Sequence, residues 1–306
     1  MQVIVHGGAG GPADEPADRQ ALLDEAAATG SEADDPTTAA VAALGVLEHD
    51  ERFNAGVGAA VQSDGIPRTD AGLMTDDRAV GAACAMPGVR DAAEVARLVK
   101  EETPHVQVAG VHAVDLAADF GVETGVDLWT EATRERWDGM DVPAPEPTAS
   151  TGEHLEWVGG RFGGGAGTAV PDSGGTGDGP HDHDTVGVVA REHDRFAAAT
   201  STGGRWAALA GRVGDVPQVG CGFYCSRAGG ASTTGAGEDI ARVTMARRAV
   251  AHLEMSRDAA DAAELAVEEL ADATGSEAGI IVLDNAGGVG KAYNSDAMQT
   301  AVADDA

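Results

Sequence analysis

A long segment rich in glycine and proline divides this sequence and limits the ways in which the chain can fold. Between Asp138 and Asp184 the chain carries 12 glycines and 5 prolines in 47 residues, with few aliphatic side chains. This composition predicts a flexible linker, because it offers too little apolar surface to offset the entropy of ordering. Structureless segments of this length within compact domains are mostly functional or processed. The sequence therefore predicts two patterned parts on either side of a functional linker.

Both parts combine strand-like and helix-like patterns. VIVHG at Val3–Gly7 predicts a first strand, and the turn residues Asn285 and Gly287 predict a final hairpin between AGIIVLD and VGKAYN. Strands, then helices, then strands again in each half indicate stacked sheets with helices outside, which is an α+β fold. The other predicted elements are helices at 18–28, 37–49, 91–102, 106–120, 238–254 and 258–272, and strands within 53–86, 185–204 and 216–225.

The charge balance excludes several classes of partner. The chain has 51 acidic and 20 basic residues, a net charge of -31, and aromatic residues make up only 4% of it. Such a field repels nucleic acid and anionic membranes, which both require a basic surface. Because Lys100 and Lys291 are the only lysines, the composition favours a salt-rich cytosol in which repulsion is screened; the alternative is an ordinary acidic enzyme. No apolar run reaches the roughly 18 residues of a spanning helix, and the N-terminus lacks a signal-peptide pattern. We therefore expect a soluble cytoplasmic protein.

The three cysteines, Cys84, Cys221 and Cys225, do not indicate a disulfide framework. An odd and low count in a chain of 306 residues favours free, buried thiols. Cys221 and Cys225 lie four residues apart, but two ligands do not make a zinc site.

Four clusters after the linker carry hydroxyl or charged groups suited to catalysis. They are Thr185, the run Thr200–Gly204, the run Gly211–Asp215 and the run Ser232–Glu238. The glycines and hydroxyls of the last run can present backbone N–H groups to an anion, and an Arg–Asp pair can hold both charges of an amino-acid headgroup. Taken singly, each cluster has a structural alternative: threonine is common in strands, TTGAGE can cap a helix, and an Arg–Asp pair can be a surface contact.

Taken in order, the motifs resemble those of one enzyme family, the plant-type L-asparaginases and isoaspartyl peptidases among the N-terminal nucleophile hydrolases. The terminal AYNSDAM also resembles the family's last strand and turn, and the likeness covers most of the chain except the linker. The matching motifs are HGGAG (6–10), FNAGVGA (53–59), DTVGVVA (184–190), AAATSTGG (197–204), GRVGD (211–215) and TTGAGE (233–238).

This resemblance implies a self-processing threonine hydrolase with a four-layer αββα sandwich. The precursor would cut itself between Asp184 and Thr185, giving chains 1–184 and 185–306 that remain one domain. Thr185 would then supply both the nucleophile and, through its new α-amine, the base that a threonine hydroxyl needs. Thr202 would bond near this amine, and Thr234 with Gly235 would form the oxyanion hole.

The same resemblance implies the substrate and its contacts. Arg212 is expected to bind the α-carboxylate and Asp215 the α-ammonium of an aspartyl headgroup, with Gly237 and Asn54 also in the substrate site. The reaction would be hydrolysis of the side-chain amide of L-asparagine, or of β-aspartyl dipeptides. RWAALA (205–210) replaces a polar stretch common in relatives, so it is a candidate specificity element.

No organic cofactor is implied, and a homodimer of processed units is expected. Relatives hold a structural sodium ion on backbone carbonyls of the loop between Leu47 and Val57, and carbonyl oxygens suit such a hard cation. The corresponding carbonyls here are those of Leu47, Glu48, Asp50, Phe53, Ala55 and Val57.

Two alternative functions remain at this point. The sequence HDT at 183–185 is similar to that of glycosylasparaginases, which share the fold and mechanism. A different class, a metal-binding protein, would use His181, Asp182, His183 and Asp184, since alternating His and Asp can ligate zinc or a harder metal. His6 could also be catalytic, although a structural role beside a tight glycine turn is favoured.

Overall fold

The computed structural model describes residues 1–143, 150–162 and 185–304. The mixture of helices and sheets confirms the predicted α+β class. The strands are β1 Gln2–Gly10, β2 Arg68–Thr75, β3 Val80–Pro87, β4 Gln107–Ala109, β5 Val186–Glu192, β6 Arg195–Thr202, β7 Phe223–Ser226, β8 Gly229–Gly235, β9 Ala278–Asp284, β10 Val289–Tyr293 and β11 Ala297–Asp304. The helices are α1 Pro16–Ser31, α2 Pro36–Glu48, α3 Ala92–Glu102, α4 Val111–Asp119, α5 Glu131–Asp138, α6 Thr151–Phe162, α7 Gly237–Val243, α8 Met245–Glu254 and α9 Ala259–Thr274.

The described strands form two sheets. The larger has seven strands in the order β11-β1-β5-β6-β2-β3-β4, and the smaller has four in the order β10-β9-β8-β7. Every pair is antiparallel except β3 with β4. Strand β5, which follows directly after Thr185, lies in the middle of the larger sheet between β1 and β6. The residue that follows the linker is therefore held by paired strands on both sides.

Three apolar clusters hold the sheets and helices together. The first packs α1, α2 and α3 on one face of the larger sheet, through residues such as Leu44 and Val188. The second packs α8 and α9 on the smaller sheet, through residues such as Val250 and Ile280. The third contains residues of both sheets, including Phe196 and Phe223. With so few aromatic residues, much of this core is alanine and valine, which allows close approach of the elements.

Local signals explain where several helices begin and end. Helix α2 starts at Pro36, and the carboxylate of Asp35 accepts hydrogen bonds from the first turn at 2.9 Å and 3.2 Å, as an N-cap residue does. Asp258 caps α9 in the same way, and Gly275 ends it in the left-handed conformation. These caps account for the agreement between the predicted and observed helices at both places.

Three predictions of local structure are wrong. The predicted helix 106–120 includes strand β4 at Gln107–Ala109, and its helical part, α4, begins only at Val111. The predicted helix 238–254 is broken into α7 and α8 by Thr244, which has φ 54° and ψ 54°. The predicted linker 138–184 contains helix α6, in which Trp157 packs on a cluster of apolar side chains and donates to the Asp141 carbonyl at 2.7 Å. The apolar surface of this stretch was hidden in a composition dominated by the glycines around it.

The cysteine prediction is confirmed, because all three thiols are free and buried. None of the helices in the described ranges is both long and apolar enough to cross a membrane.

Candidate active site

Antiparallel pairing of β5 with β6 brings Thr185 opposite Thr202. Val186 is paired with Ser201, so Thr185 and Thr202 are the next residues across the two strands. The Thr185 hydroxyl donates to Oγ1 of Thr202 at 3.0 Å, and the Gly204 N–H donates to the same oxygen at 3.1 Å. Thr185 and Thr202 are buried. The hydrogen bond to Thr202 thus fixes the orientation of the Thr185 hydroxyl at the start of β5.

The second sheet contributes Thr234 and Gly235 at the end of β8. Thr234 is buried, and its Oγ1 accepts a hydrogen bond from the Ala9 N–H of β1 at 3.2 Å. Gly235 has φ +131°, and a Cβ there would lie 2.6 Å from both the Glu277 carbonyl oxygen and Ala278 Cα. Only glycine can adopt this backbone at this distance from β9. The turn that would present N–H groups to an oxyanion therefore depends on glycine.

A buried polar network links the two sheets beside Thr185. His6 Nε2 is 3.0 Å from the Ser232 hydroxyl, which is 2.6 Å from the Thr200 hydroxyl. Burial lowers the pKa of His6 to about 3, although the Thr185 backbone beside the ring acts in the opposite direction. A neutral, fully buried imidazole bound to a serine supports the structural role favoured for His6. Gly187 makes room for this network, since a Cβ there would lie 1.9 Å from the Ser232 oxygen.

Arg212 is bound by a residue that the sequence analysis did not single out. Its Nε and Nη2 donate to the two oxygens of Glu238, each at 2.8 Å. Burial acts to raise the pKa of Glu238, but hydrogen bonds and the charge of Arg212 outweigh it and lower the value to about 2. Glu238 was visible as the last residue of TTGAGE, where its helix-starting position masked its role as the partner of an arginine.

Asp215 and Gly237 lie on another side of the Arg212 guanidinium. A Cβ on Gly237 would lie 2.7 Å from Asp215 Oδ1 and 2.9 Å from Arg212 Nη2, so the absence of a side chain keeps both groups accessible from this direction. Burial raises the pKa of Asp215 to about 7, partly offset by Arg212. Burial likewise raises the pKa of Asp70 to about 6, opposed by the Ala85 N–H and by Arg212. The Arg212 guanidinium therefore interacts electrostatically with three carboxyl groups, those of Glu238, Asp215 and Asp70.

Asn54 holds the loop after β6 in place. Its Nδ2 donates to the Gly204 carbonyl at 2.6 Å, and its Oδ1 accepts from the Ala60 N–H at 2.7 Å. Its own carbonyl accepts from the Gly203 N–H at 2.7 Å. Because both ends of this buried side chain bond to backbone, the geometry supports a positioning role; its predicted contact with substrate stays a prediction.

The predicted cation loop closes tightly on the end of α2. The Val57 N–H donates to the Glu48 carbonyl at 2.9 Å, and a Cβ on Gly56 would lie 2.0 Å from that carbonyl oxygen. The Asp50 carboxylate pairs with Arg52 at 3.0 Å. The remaining potential ligands are backbone carbonyls, which are hard oxygen donors that fit a sodium ion.

The Glu48 carboxyl lies under β6, on the side opposite Thr202. It accepts hydrogen bonds from the Ser201 hydroxyl at 2.5 Å and the Ala93 N–H at 3.0 Å. Burial raises its pKa to about 8, against the effect of these bonds. Glu48 therefore joins α2, α3 and the strand that carries Thr202.

The replaced segment 205–210 contains the centre of an aromatic cluster. Trp206 is buried, and its ring centroid lies 6.5 Å from that of Trp137, which lies 6.1 Å from that of Trp129. Trp157 packs on the same cluster. Arg205 precedes it, and its charge contributes to lowering the pKa of Glu238. Segment 205–210 is thus packed against residues from the first half of the chain and adjoins the Arg212 site.

The proposed scissile bond and the alternative metal site lie outside the described residues. This holds for Asp184 and for the cluster His181, Asp182 and His183. Within the ranges that the structure describes, no group of three or more His, Cys, Asp or Glu side chains is arranged to hold a metal ion.

The chain has a mixed α+β architecture, and comparison with known proteins identifies it as a hydrolase and identifies its family. The family model Asparaginase_2, described as asparaginase, matches residues 1–306. Relatives include a plant-type L-asparaginase of Pyrobaculum calidifontis, 36% identical over 97% of this chain and 94% of that protein. Another, of Pyrococcus furiosus, is 33% identical over 98% of this chain and 95% of that protein. The isoaspartyl peptidase/L-asparaginase of Danio rerio is 32% identical over 98% and 91%. The chain belongs to the asparaginase family, whose enzymes need no organic cofactor.

Proposed function

We propose that this protein hydrolyses the side-chain amide of L-asparagine and the amide bond of β-aspartyl dipeptides. The observation that carries the proposal is the 3.0 Å hydrogen bond between the Thr185 and Thr202 hydroxyls at the start of the central strand β5. The names of the relatives, plant-type L-asparaginase and isoaspartyl peptidase/L-asparaginase, support both substrates.

The proposed reaction begins with cleavage of the chain between Asp184 and Thr185. The freed α-amine of Thr185 has an ordinary pKa of about 7.7–8.0, which suits a general base near neutral pH. It takes the hydroxyl proton as Thr185 Oγ1 forms a bond to the amide carbon. The resulting oxyanion is stabilised by Thr234 and the N–H of Gly235.

The second half of the reaction releases both products. The carbon–nitrogen bond breaks, and the leaving ammonia or amine takes the proton held by the Thr185 amine. Water then gives a proton to that amine and adds its oxygen to the ester carbon. The ester bond breaks, aspartate is released, and Thr185 Oγ1 regains its proton.

Recognition of the headgroup is assigned to the arginine and its neighbours. The planar guanidinium of Arg212 can make paired, charge-assisted bonds to the substrate α-carboxylate. The ionised carboxylate of Asp215 accepts hydrogen bonds from the substrate α-ammonium. The missing side chain at Gly237 leaves space for the headgroup beside Asp215 and Arg212. The Glu238 pair holds the guanidinium in place while substrate approaches from the Gly237 side.

We further propose a four-layer αββα sandwich of the N-terminal nucleophile hydrolase type, in which fragments 1–184 and 185–306 remain one domain. The three apolar clusters support this arrangement, because one lies under each helical layer and one joins the sheets. Strand β5 of the second fragment pairs with β1 of the first. Such pairing would keep the fragments together after cleavage.

The structural sodium ion and the homodimer are part of the proposal. Carbonyls of Leu47, Glu48, Asp50, Phe53, Ala55 and Val57 would hold the ion, which would stiffen the loop that carries Asn54. Melting in sodium chloride and in tetramethylammonium chloride at equal ionic strength tests this, since a bound sodium ion should raise the melting temperature in the first. The cytoplasmic location and the salt-rich cytosol stay predictions.

Denaturing mass spectrometry of the purified protein tests the central claim. Scaling the mass of 30.7 kDa by chain length gives fragments of about 18 kDa and about 12 kDa. Thr185→Ala should remain one inactive chain, and Thr185→Ser, which keeps a hydroxyl, should retain some cleavage. An active wild-type enzyme that stays full length would refute the mechanism.

A further inference from the structure

The backbone that carries Arg212 is held by a side chain from the other half of the molecule. Gln62 Oε1 accepts a hydrogen bond from the Gly211 N–H at 2.8 Å, and Gln62 Nε2 donates to the Arg212 carbonyl at 3.0 Å. The two bonds span the peptide unit that leads into Arg212. Gln62 is only 3% exposed, so water does not compete for these groups.

The orientation of the Gln62 amide is determined by its surroundings. Arg68 Nη1 donates to Gln62 Oε1 at 2.8 Å, so two N–H donors meet the same atom. An amide nitrogen cannot accept either bond. Arg68 is itself fixed by Asp64, with its Nη2 2.7 Å from Asp64 Oδ2. The glutamine therefore presents its N–H donor to the Arg212 carbonyl and does not flip.

Ser63 extends the same contact toward the aromatic cluster. Its N–H donates to the Ala208 carbonyl at 2.7 Å, and its hydroxyl accepts from the Ala210 N–H at 3.0 Å. Just before this, the Ala207 N–H donates to the Val61 carbonyl at 2.7 Å. Residues 207–212 are thus bonded along their length to residues 61–63, with Gln62 at the end nearest the guanidinium.

We propose that Gln62 is a positioning residue that sets the selectivity of this site for substrates with an α-carboxylate. This inference rests on the proposed function. The Arg212 guanidinium can meet a carboxylate squarely only if its backbone stays in place, because an error at Cα is carried to the end of the side chain. Gln62 touches no reacting atom, so its loss weakens headgroup binding and leaves the Thr185 chemistry intact.

The test compares two substrates that differ only at the headgroup. Asparagine carries the α-carboxylate, whereas 3-aminopropanamide lacks it and gains nothing from Arg212. Gln62→Met removes both backbone bonds with a side chain of similar length, and we expect KM for asparagine to rise about tenfold. The kcat should change less than about twofold, and the preference for asparagine over 3-aminopropanamide should fall about tenfold.

A second variant separates the two bonds. Gln62→Glu keeps an acceptor for the Gly211 N–H and for Arg68 but faces the Arg212 carbonyl with an oxygen. It should lose at least as much preference for asparagine as Gln62→Met. Gln299→Met is the matched control, because Gln299 is a half-buried glutamine that also donates to a backbone carbonyl, that of Pro16 at 2.6 Å; its kinetics should equal those of wild type.

The outcomes separate this inference from the proposed function. A wild-type protein that neither cleaves nor releases ammonia from asparagine refutes the function itself. If wild type is active and both Gln62 variants cleave normally with unchanged substrate preference, the positioning role is overturned. Failure of both variants to cleave would assign Gln62 to folding and would overturn the inference as well.

Discussion

The buried carboxyl of Asp215 should make recognition of the substrate ammonium depend on pH near neutrality. Burial raises its pKa to about 7 against the charge of Arg212, and only the carboxylate attracts an ammonium. Between about pH 8 and about pH 6 its ionised fraction falls about tenfold. The contribution of the ammonium to kcat/KM should fall by the same factor.

Two substrates isolate this effect from the titration of the Thr185 amine. Succinamic acid is asparagine without the α-amine, and it keeps the carboxylate that Arg212 binds. Ammonia release from each is measured across this pH range, and the ratio of their kcat/KM values is taken. Titration of the Thr185 amine and of Asp70 affects both substrates and cancels, and Glu238, whose pKa is about 2, stays ionised across this range. The ratio should fall about tenfold toward acid pH in wild type and stay flat in Asp215→Asn.

The same pKa shift has a consequence for stability, with a defined sign. The folded pKa of Asp215, about 7, exceeds the ordinary value of 3.8, so the folded state binds the proton more tightly. Stability therefore falls as pH rises between these values, by at most about 4 kcal/mol. At about pH 7.5, Asp215→Asn should melt above wild type while losing asparagine turnover. The raised pKa of Asp215 would be refuted by a wild-type ratio that does not change with pH, or by an Asp215→Asn variant that melts below wild type.

Three further predictions concern the headgroup and the surface. Arg212→Ala should still cleave itself but lose about 30-fold to several thousand-fold in kcat/KM, because the loss of one partner of a desolvated charge pair costs about 2–5 kcal/mol. Near-normal turnover of asparagine would show that the headgroup binds elsewhere. Gly237→Ala should raise KM without preventing cleavage, because its Cβ would enter between Asp215 and Arg212, and an unchanged KM would exclude that space from the substrate site. The net charge of -31 should make the melting temperature rise with potassium chloride, since the Debye length shortens from about 30 Å at 0.01 M to about 3 Å at 1 M; a flat response would remove the salt-rich interpretation.

The sequence predicts those parts of the fold whose signals are local. The strand at 3–7 and the final hairpin are confirmed as β1 and as β9 with β10, because alternating or continuous apolar residues meet clear turn residues there. The break at Thr244 was missed because the residues on both sides have good helical patterns. A single left-handed residue leaves no periodic signal.

The candidate site divides in a similar way. Thr185 and Thr202 were visible as hydroxyl residues in motifs, and strand register explains their contact. Gln62 was not visible, because its partners Gly211 and Arg212 lie about 150 residues away and are backbone groups. Contacts of this kind follow from the folded path of the chain. Sequence motifs indicate which side chains can take part in catalysis, whereas the contacts that position those side chains follow only from the tertiary structure.

The aromatic cluster determines what the intrinsic tryptophan fluorescence of this protein reports. The chain has four tryptophans, and Trp129, Trp137, Trp157 and Trp206 all belong to this one cluster. Three of them precede the proposed cleavage point and one follows it, so the two fragments share the cluster. Emission from the protein therefore reports on a single location, the seam between the fragments beside the headgroup-binding loop. Separation of the fragments would expose the buried Trp206 ring to water and shift its emission to the red.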